Sequence, residues 1–200
     1  MLKTIRIIAW CLVGVLAAVV VLASLGVRIP GFQQKSLPLA ASIGGPFALP
    51  STRGDVVSSA SLEGKPFAVF FGYTFCPDVC PTTLLDLSGV IKQLGPDADR
   101  MNYLFVSVDP QRDTIEQLKL YLSSFDPHIV GLSGTEQQIA EVARQYRAVY
   151  EKVSSKDGYT INHTATTYLM DAHGRFFSTL GYQENPDVAV RKLKRLISGG

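Results

Sequence analysis

The hydrophobic pattern divides the chain into an uncharged N-terminal run and a longer part in which strands and helices alternate. Residues 7–27 carry no charge, whereas Lys3 and Arg6 precede them and Arg28 follows. About 20 apolar residues are needed to cross a bilayer, and the apolar regions of signal peptides are shorter, at roughly 7–15 residues. We therefore expect a transmembrane helix over residues 7–27, with signal-peptide cleavage near Ala23 as the alternative.

The basic residues ahead of this run indicate its orientation. Under the positive-inside rule, the short tail of residues 1–6 stays in the cytoplasm and the rest of the chain lies across the membrane. Residues 28–45 are rich in Pro, Gly, Ser and Gln and show no periodicity, which is typical of a linker. We expect one folded domain over residues 46–200, a length within the usual range for a domain.

Within this domain, apolar strand patterns alternate with amphipathic helix patterns. A short hairpin over residues 47–57 comes first. Later strands are predicted at residues 66–73, 101–108, 129–132, 149–153, 166–170 and 175–180, and helices at residues 81–94, 114–124, 135–146 and 186–197. Thr114 with Gln117 and Thr135 with Gln138 have the spacing of helix capping boxes. This order predicts an α/β sandwich with a mixed central sheet flanked by helices.

Composition narrows the possible functions. The formal net charge of +2 gives no indication of a nucleic-acid partner. Three cysteines are too few for a disulfide-dense scaffold. Cys11 lies inside the apolar run, where we expect a small side chain that faces lipid.

The other two cysteines, Cys76 and Cys80, lie between a predicted buried strand and a predicted helix. A helix N-terminus carries partial positive charge and free amides, so it stabilises a thiolate. If the domain lies on the far side of the membrane from the cytoplasm, it is in an oxidising compartment where disulfides persist. The pair can therefore cycle between the oxidised and reduced forms, hold a metal ion, or form a permanent disulfide.

A histidine would complete a metal site with this pair, and His163, just before the strand at 166–170, is the candidate. Two thiolates and one imidazole form a soft, three-ligand set that favours Cu(I). A catalytic zinc with Cys₂His ligands and an open position is the competing interpretation. His128 and His173 fall in predicted loops, where we expect solvated side chains.

Two acidic residues, Asp109 and Asp113, lie in the polar turn after the strand at 101–108. Turn formation and helix capping would explain both residues. Alternatively, the turn lies beside the cysteine loop, and a carboxylate there orients a ligand or docks a partner.

Three motifs together resemble the Sco/SenC family. They are the Cys-Pro-x-x-Cys-Pro signature within residues 74–81, the aspartate motif of residues 108–114 and the histidine motif of residues 161–164. The resemblance covers about residues 45–197. It implies a thioredoxin-like fold in which Cys76, Cys80 and His163 bind copper, as Cu(I) with Cu(II) as a second state.

The resemblance also implies a role in building the copper site of cytochrome c oxidase subunit II, as metallochaperone, as thiol-disulfide reductant, or both. The expected partners are subunit II or another copper-accepting protein, a periplasmic copper donor and a thioredoxin-like reductant. Because the apolar run starts almost at Met1, a bacterial inner-membrane protein facing the periplasm is favoured.

Two other functions remain open on the residues alone. The first is a thiol-disulfide oxidoreductase without a stable metal, with Cys76 and Cys80 as its redox-active pair; a peroxidase is a variant of this hypothesis. The second is an anchored binding domain whose two cysteines form a permanent disulfide.

Overall fold

The computed structural model describes residues 43–155 and 158–199, together with Arg6, Trp10 and Gly14. Residues Ala41–Gly200 form one compact unit. The predictions of a tail, a transmembrane helix with Cys11 and most of the linker fall outside the described residues. Among the residues that are described, no helix is long and apolar enough to cross a membrane.

Strands and helices alternate along the described part of the domain. The strands are β1 (Ala48–Pro50), β2 (Val56–Ser58), β3 (Phe67–Gly72), β4 (Asn102–Ser107), β5 (Ile129–Leu132), β6 (Tyr150–Ser155), β7 (Gly158–His163), β8 (Thr167–Met170) and β9 (Phe176–Leu180). The α-helices are α1 (Val79–Leu94), α2 (Ile115–Leu122), α3 (Glu136–Tyr146) and α4 (Pro186–Gly199). Two 3₁₀ helices cover Ala60–Leu62 and Gly95–Arg100.

Five of these strands form the central sheet, in the order β5-β4-β3-β8-β9. Strand β4 runs parallel to β3 and β5, whereas β8 is antiparallel to β3 and β9. Every residue of β3 is buried, as expected for a central strand that is covered on both faces. The predicted mixed sheet is confirmed.

Helices cover both faces of this sheet. Successive side chains of a strand point to opposite faces, so Phe70 and Phe71 face different helices. Phe71 contacts Tyr146 of α3, with ring centroids 5.5 Å apart. Phe70 contacts Phe105, which in turn contacts Tyr121 of α2. The apolar residues on both faces are therefore removed from water, which is the main stabilising contribution to such a fold.

The segments that carry the candidate site residues meet at one edge of the central sheet. Because β3 and β4 are parallel, the loop after β3 and the turn after β4 emerge at the same edge. Strand β8 is antiparallel to β3 and begins with Thr167 opposite Phe70, so the chain just before β8 reaches that edge as well. The topology thus brings together segments that are distant in the sequence.

The observed elements follow the predicted ones closely, with two differences that affect this edge. The helix predicted from Pro81 begins at Val79, so Cys80 lies in its first turn. Strand β7 is not predicted from the sequence; it pairs with β6 in a hairpin and ends at His163. His163, which the sequence placed only just before β8, is therefore held on a strand.

Candidate metal centre

Cys76 and Cys80 lie on either side of the N-terminus of α1. Cys76 is partly exposed in the loop after β3, and Cys80 is fully buried in the first helical turn. The amide of Cys80 donates a hydrogen bond to Cys76 Sγ at 3.3 Å. This amide belongs to the first turn, whose N–H groups have no acceptor inside the helix. Both cysteines are free thiols, so the structure describes the reduced form.

The two thiols differ strongly in acidity. A hydrogen bond from the Cys80 side chain is the largest cause that lowers the pKa of Cys76 to about 4, against the opposing effect of burial. The same hydrogen bond, together with burial, raises the pKa of Cys80 far above its ordinary value. Since the thiolate is the nucleophile, Cys76 is the reactive sulfur of the metal-free chain and Cys80 keeps its proton.

In the reduced, metal-free chain, we expect iodoacetamide at pH 6 to modify Cys76 and to leave Cys80 unmodified. At this pH Cys76 is above its pKa of about 4, whereas Cys80 is protonated and buried. Mass spectrometry of the digested, quenched chain measures the modification of each peptide. Equal rates at the two cysteines would contradict the assignment.

His163 is held at the end of β7 with its ring between two aromatic side chains. The ring contacts Phe70 and Tyr73 edge-on, at centroid distances of 5.9 Å and 5.8 Å. Its Nδ1 lies 3.2 Å from the Thr164 carbonyl oxygen. A carbonyl oxygen only accepts, so Nδ1 donates the hydrogen and Nε2 keeps its lone pair. That lone pair is available to a metal ion.

The lone pair of His163 faces the two sulfurs. His163 Nε2 lies 3.2 Å from Cys80 Sγ and 3.9 Å from Cys76 Sγ, and all three atoms lie within 4.8 Å of one another. Ligands about 2.0–2.3 Å from one ion in a trigonal plane would be roughly 3.5–4 Å apart. The set therefore fits one ion after small side-chain adjustments.

The chemistry of this set suits copper. Two thiolates and one imidazole form a soft donor set that favours Cu(I). Among the described residues, no Asp or Glu joins the group. A pocket of ≈ 260 Å³ lies beside it and is lined by Cys76, Pro77, Asn162 and His163, among others. The pocket leaves room for a ligand from another molecule.

Gly72, the last residue of β3, allows Cys80 to approach the sheet. A Cβ at this position would lie 2.8 Å from both Cys80 Sγ and a ring carbon of Phe105. We expect Gly72→Ala to lower the free energy of unfolding by roughly 1–3 kcal/mol, the usual cost of overpacking. Urea denaturation measures this change.

Gly89 of α1 provides the matched control, because a Cβ there meets no atom of the other described residues within 4 Å, apart from its chain neighbours and the nearby backbone of its own helix. Gly89→Ala should stabilise the chain by about 0.5–1 kcal/mol, since alanine is the better helix former. If Gly72→Ala proved as stable as the original chain, the close approach of Cys80 to the sheet would be wrong.

Asp113 holds the loop that carries Cys76. Its buried carboxylate accepts hydrogen bonds from the Thr74 amide at 3.0 Å, the Thr74 hydroxyl at 2.7 Å and the Ser107 hydroxyl at 2.6 Å. Burial is the largest cause that raises the pKa of this carboxyl. Asp113 also takes part in the turn, where its amide donates to the Asp109 carbonyl oxygen. Being fully buried, it offers nothing to a docking partner.

Asp109 is also fully buried and connects the turn after β4 to the β6–β7 hairpin. It accepts hydrogen bonds from the guanidinium of Arg112 and from the Tyr159 hydroxyl, the latter at 2.7 Å. Arg112 Nη1 also donates to the Tyr159 carbonyl oxygen at 3.0 Å. Asp109 therefore contributes to the attachment of the hairpin and does not belong to the metal-ligating group.

The other two histidines lie away from the centre. His173 is exposed, as predicted, and pairs with Glu63. His128 is partly buried and lies between Asp126 and Asp99, whose hydrogen bonds raise its pKa. Neither belongs to the metal-ligating group.

Sequence reasoning missed the residues that attach the hairpin, above all Tyr73, Arg112 and Tyr159. One signal was available. Asp157-Gly158 followed by the β-prone residues 159–161 is a typical hairpin sequence. The contacts of these three side chains have no comparable local signal, because they join segments far apart in the chain.

Fold and site together define a thioredoxin-like α/β protein in which a histidine joins a cysteine pair to form a candidate soft-metal centre. The family model described as SCO1/SenC matches residues 35–198. The chain belongs to the SCO1/SenC family.

Individual relatives agree with this assignment. The structure of Bradyrhizobium japonicum ScoI with copper bound is 52% identical, covers 78% of this chain and 99% of that one, and has a TM-score of 0.74. The structure of yeast Sco1 with copper bound is 32% identical to this chain and has a TM-score of 0.72. The match covers 80% of this chain and 90% of yeast Sco1. An SCO2-like protein of Rickettsia prowazekii is 38% identical over 137 residues, or 67% of each chain.

Proposed function

We propose that this chain is a copper metallochaperone that binds Cu(I) through Cys76, Cys80 and His163. Its acceptor is the copper site of cytochrome c oxidase subunit II or of another copper-accepting protein. The observation that carries the proposal is the convergence of two sulfurs and one imidazole nitrogen within 4.8 Å. Membership of the SCO1/SenC family and the copper-bound structures of relatives support copper as the metal.

The surroundings of the centre favour transfer of the ion over permanent storage. Cys76 is partly exposed, and the pocket beside the ligands is open to an incoming thiolate or imidazole. Phe75 is 54% exposed next to Cys76, and exposed aromatic side chains are common at protein interfaces. An acceptor docked there can add its own ligand before those of this chain are released.

The proposed place of action is the periplasmic face of a bacterial inner membrane, with residues 7–27 as a single-pass anchor. The uncharged run and the preceding Lys3 and Arg6 support this orientation. Protease added to spheroplasts should digest the domain while the inner membrane is intact. Protection of the domain under these conditions would contradict the orientation.

Oxidase assembly in cells tests the proposed function. A strain that carries only the Cys76→Ser or the His163→Ala chain should contain oxidase with little copper, at unchanged amounts of the chain itself. His173→Ala is the matched control and should behave like the original chain. Normal copper content in both test strains would overturn the proposal.

A second candidate function is reduction of a partner's disulfide, and the different acidity of the two thiols favours it. The pKa of Cys76 is lowered, which suits the thiolate that attacks a partner's disulfide. The pKa of Cys80 is raised, so Cys80 stays protonated and would be the thiol that resolves the mixed disulfide. In this role the chain would depend on Cys76 and Cys80 but not on His163. Full oxidase copper with His163→Ala, and loss of it with Cys76→Ser, would select this function.

Both functions require reduced cysteines. We therefore include a periplasmic thioredoxin-like reductant among the partners, and a periplasmic copper donor for the first function. A mixed disulfide with the reductant should accumulate when its resolving cysteine is replaced by serine.

A further inference from the structure

The three candidate ligands belong to two separate pieces of the structure. Cys76 and Cys80 lie on the loop and helix that follow β3, whereas His163 ends the β6–β7 hairpin. Among the described strands, β6 and β7 pair only with each other and not with the central sheet. Apart from the short covalent link through residues 164–166 to β8, the distance from His163 to the sulfurs therefore depends on side-chain contacts that attach the hairpin to the rest of the domain.

The first attachment is the hydroxyl of Tyr73. This side chain is 1% exposed and follows β3, three residues before Cys76. Its oxygen lies 2.8 Å from Thr160 Oγ1 and accepts a hydrogen bond from the Ile161 amide at 3.2 Å. The ring also contacts the imidazole of His163. Tyr73 thus joins the strand that leads to the cysteines with the strand that carries the histidine.

The second attachment is the guanidinium of Arg112. It pairs with Asp109 and donates to the Tyr159 carbonyl oxygen. Its carbon lies 3.8 Å from the ring centroid of Tyr159 and 4.8 Å from that of Phe75. The planar guanidinium of arginine can donate to two acceptors at once while it stacks on an aromatic ring. The compact ammonium of lysine lacks this planar fork of donors. Arg112 therefore connects the hairpin to the residue next to Cys76.

We propose that Tyr73 and Arg112 are positioning residues that hold His163 at the cysteine pair. The proposal rests on the proposed copper site and adds the residues that set its geometry. We call the two side chains the hairpin latch. Neither residue belongs to the metal-ligating group; each acts through the position of the hairpin and of the His163 ring.

Weakening the latch should affect copper binding by the site more than it affects the Cys76–Cys80 disulfide. Copper binding needs His163 in place, so weakening the latch should reduce copper affinity. The Cys76–Cys80 disulfide joins the loop to the first turn of α1 and needs no ligand from the hairpin, so its reduction potential should change far less, in free energy, than the copper affinity does. A residue with a merely structural role would alter both properties together.

Two variants weaken the latch with little other change. Tyr73→Phe removes one hydroxyl and keeps the ring, and Arg112→Lys keeps the charge beside Asp109 but loses the fork and the stacking. Tyr103→Phe is the control, because the buried Tyr103 hydroxyl has no hydrogen-bond partner among the residues that the structure describes. Anaerobic competition for Cu(I) on the full reduced chain and a redox titration of the disulfide are the two measurements.

We expect each latch variant to bind Cu(I) about tenfold more weakly, within the roughly 10–100-fold range for the loss of an outer partner of a ligating histidine. The disulfide potential should change far less, in free energy, than the Cu(I) affinity, and Tyr103→Phe should match the original chain in both measurements. In the His163→Ala background, Tyr73→Phe should have no further effect on Cu(I) affinity, because coupled residues are not additive.

Several results would overturn the latch. The first is unchanged Cu(I) affinity in both variants while His163→Ala binds weakly. The second is a change in the disulfide potential as large, in free energy, as the loss of Cu(I) affinity. The third is an undiminished effect of Tyr73→Phe in the His163→Ala background. Failure of the proposed function would look different, since the original chain would then bind no Cu(I) tightly.

Discussion

Replacing His163 by alanine is expected to weaken Cu(I) binding by on the order of 100-fold or more, since removing a ligand should exceed the roughly 10–100-fold cost of removing its outer partner. The imidazole supplies one of the three donors, with its Nε2 3.2 Å and 3.9 Å from the two sulfurs. Competition with a chromophoric Cu(I) chelator under anaerobic conditions measures the change.

The Cys76–Cys80 disulfide should still form in His163→Ala, because the two cysteines also contact each other directly through the Cys80 amide and Cys76 Sγ. Free-thiol titration before and after oxidation measures this property. The exposed His173 supplies the control, and His173→Ala should bind copper like the original chain. Equal Cu(I) affinity of His163→Ala and the original chain would remove His163 from the ligand set.

Asp113→Ala is expected to lower the free energy of unfolding by about 3 kcal/mol, because a buried donor without a partner costs about 1–3 kcal/mol. The substitution removes the acceptor of the Thr74 amide and of the Thr74 and Ser107 hydroxyls. The hydroxyls can rotate towards other partners, but the amide cannot. Urea denaturation of the reduced chain measures the loss, and weaker copper binding should accompany it because Thr74 lies two residues before Cys76.

Asp113→Asn is the matched variant and should be far milder. An amide oxygen can accept from the Thr74 amide and the Ser107 hydroxyl, and the amide nitrogen can donate to the Thr74 hydroxyl. Burial already raises the pKa of Asp113, so a neutral side chain suits this environment. An asparagine variant as unstable as the alanine variant would show that the charge, and not the hydrogen bonds, holds the loop.

Local sequence signals were sufficient for most of the scaffold of the site. The apolar run before Cys76 predicts a buried strand, and the apolar spacing after Cys80 predicts a helix; both are present as β3 and α1. The Thr135–Gln138 capping box is also confirmed. Each of these features depends on neighbours within a few residues, which is the information that a single sequence holds.

The geometry of the histidine could not be predicted in the same way. The alternating residues 149–153 predict strand β6, but this strand is largely exposed, and no periodic signal indicates β7 or its pairing with β6. The contacts of Tyr73 with Thr160 and Ile161 join segments that meet only when the sheet is formed. They depend on tertiary structure, which overrides local propensity.

X-ray absorption at the copper edge identifies the atoms bound to the ion in the full chain loaded anaerobically with one equivalent of Cu(I). We expect two sulfur neighbours and one nitrogen neighbour, from Cys76, Cys80 and His163, with the nitrogen lost in His163→Ala. A spectrum with sulfur neighbours only, or one that His163→Ala leaves unchanged, would contradict this ligand set.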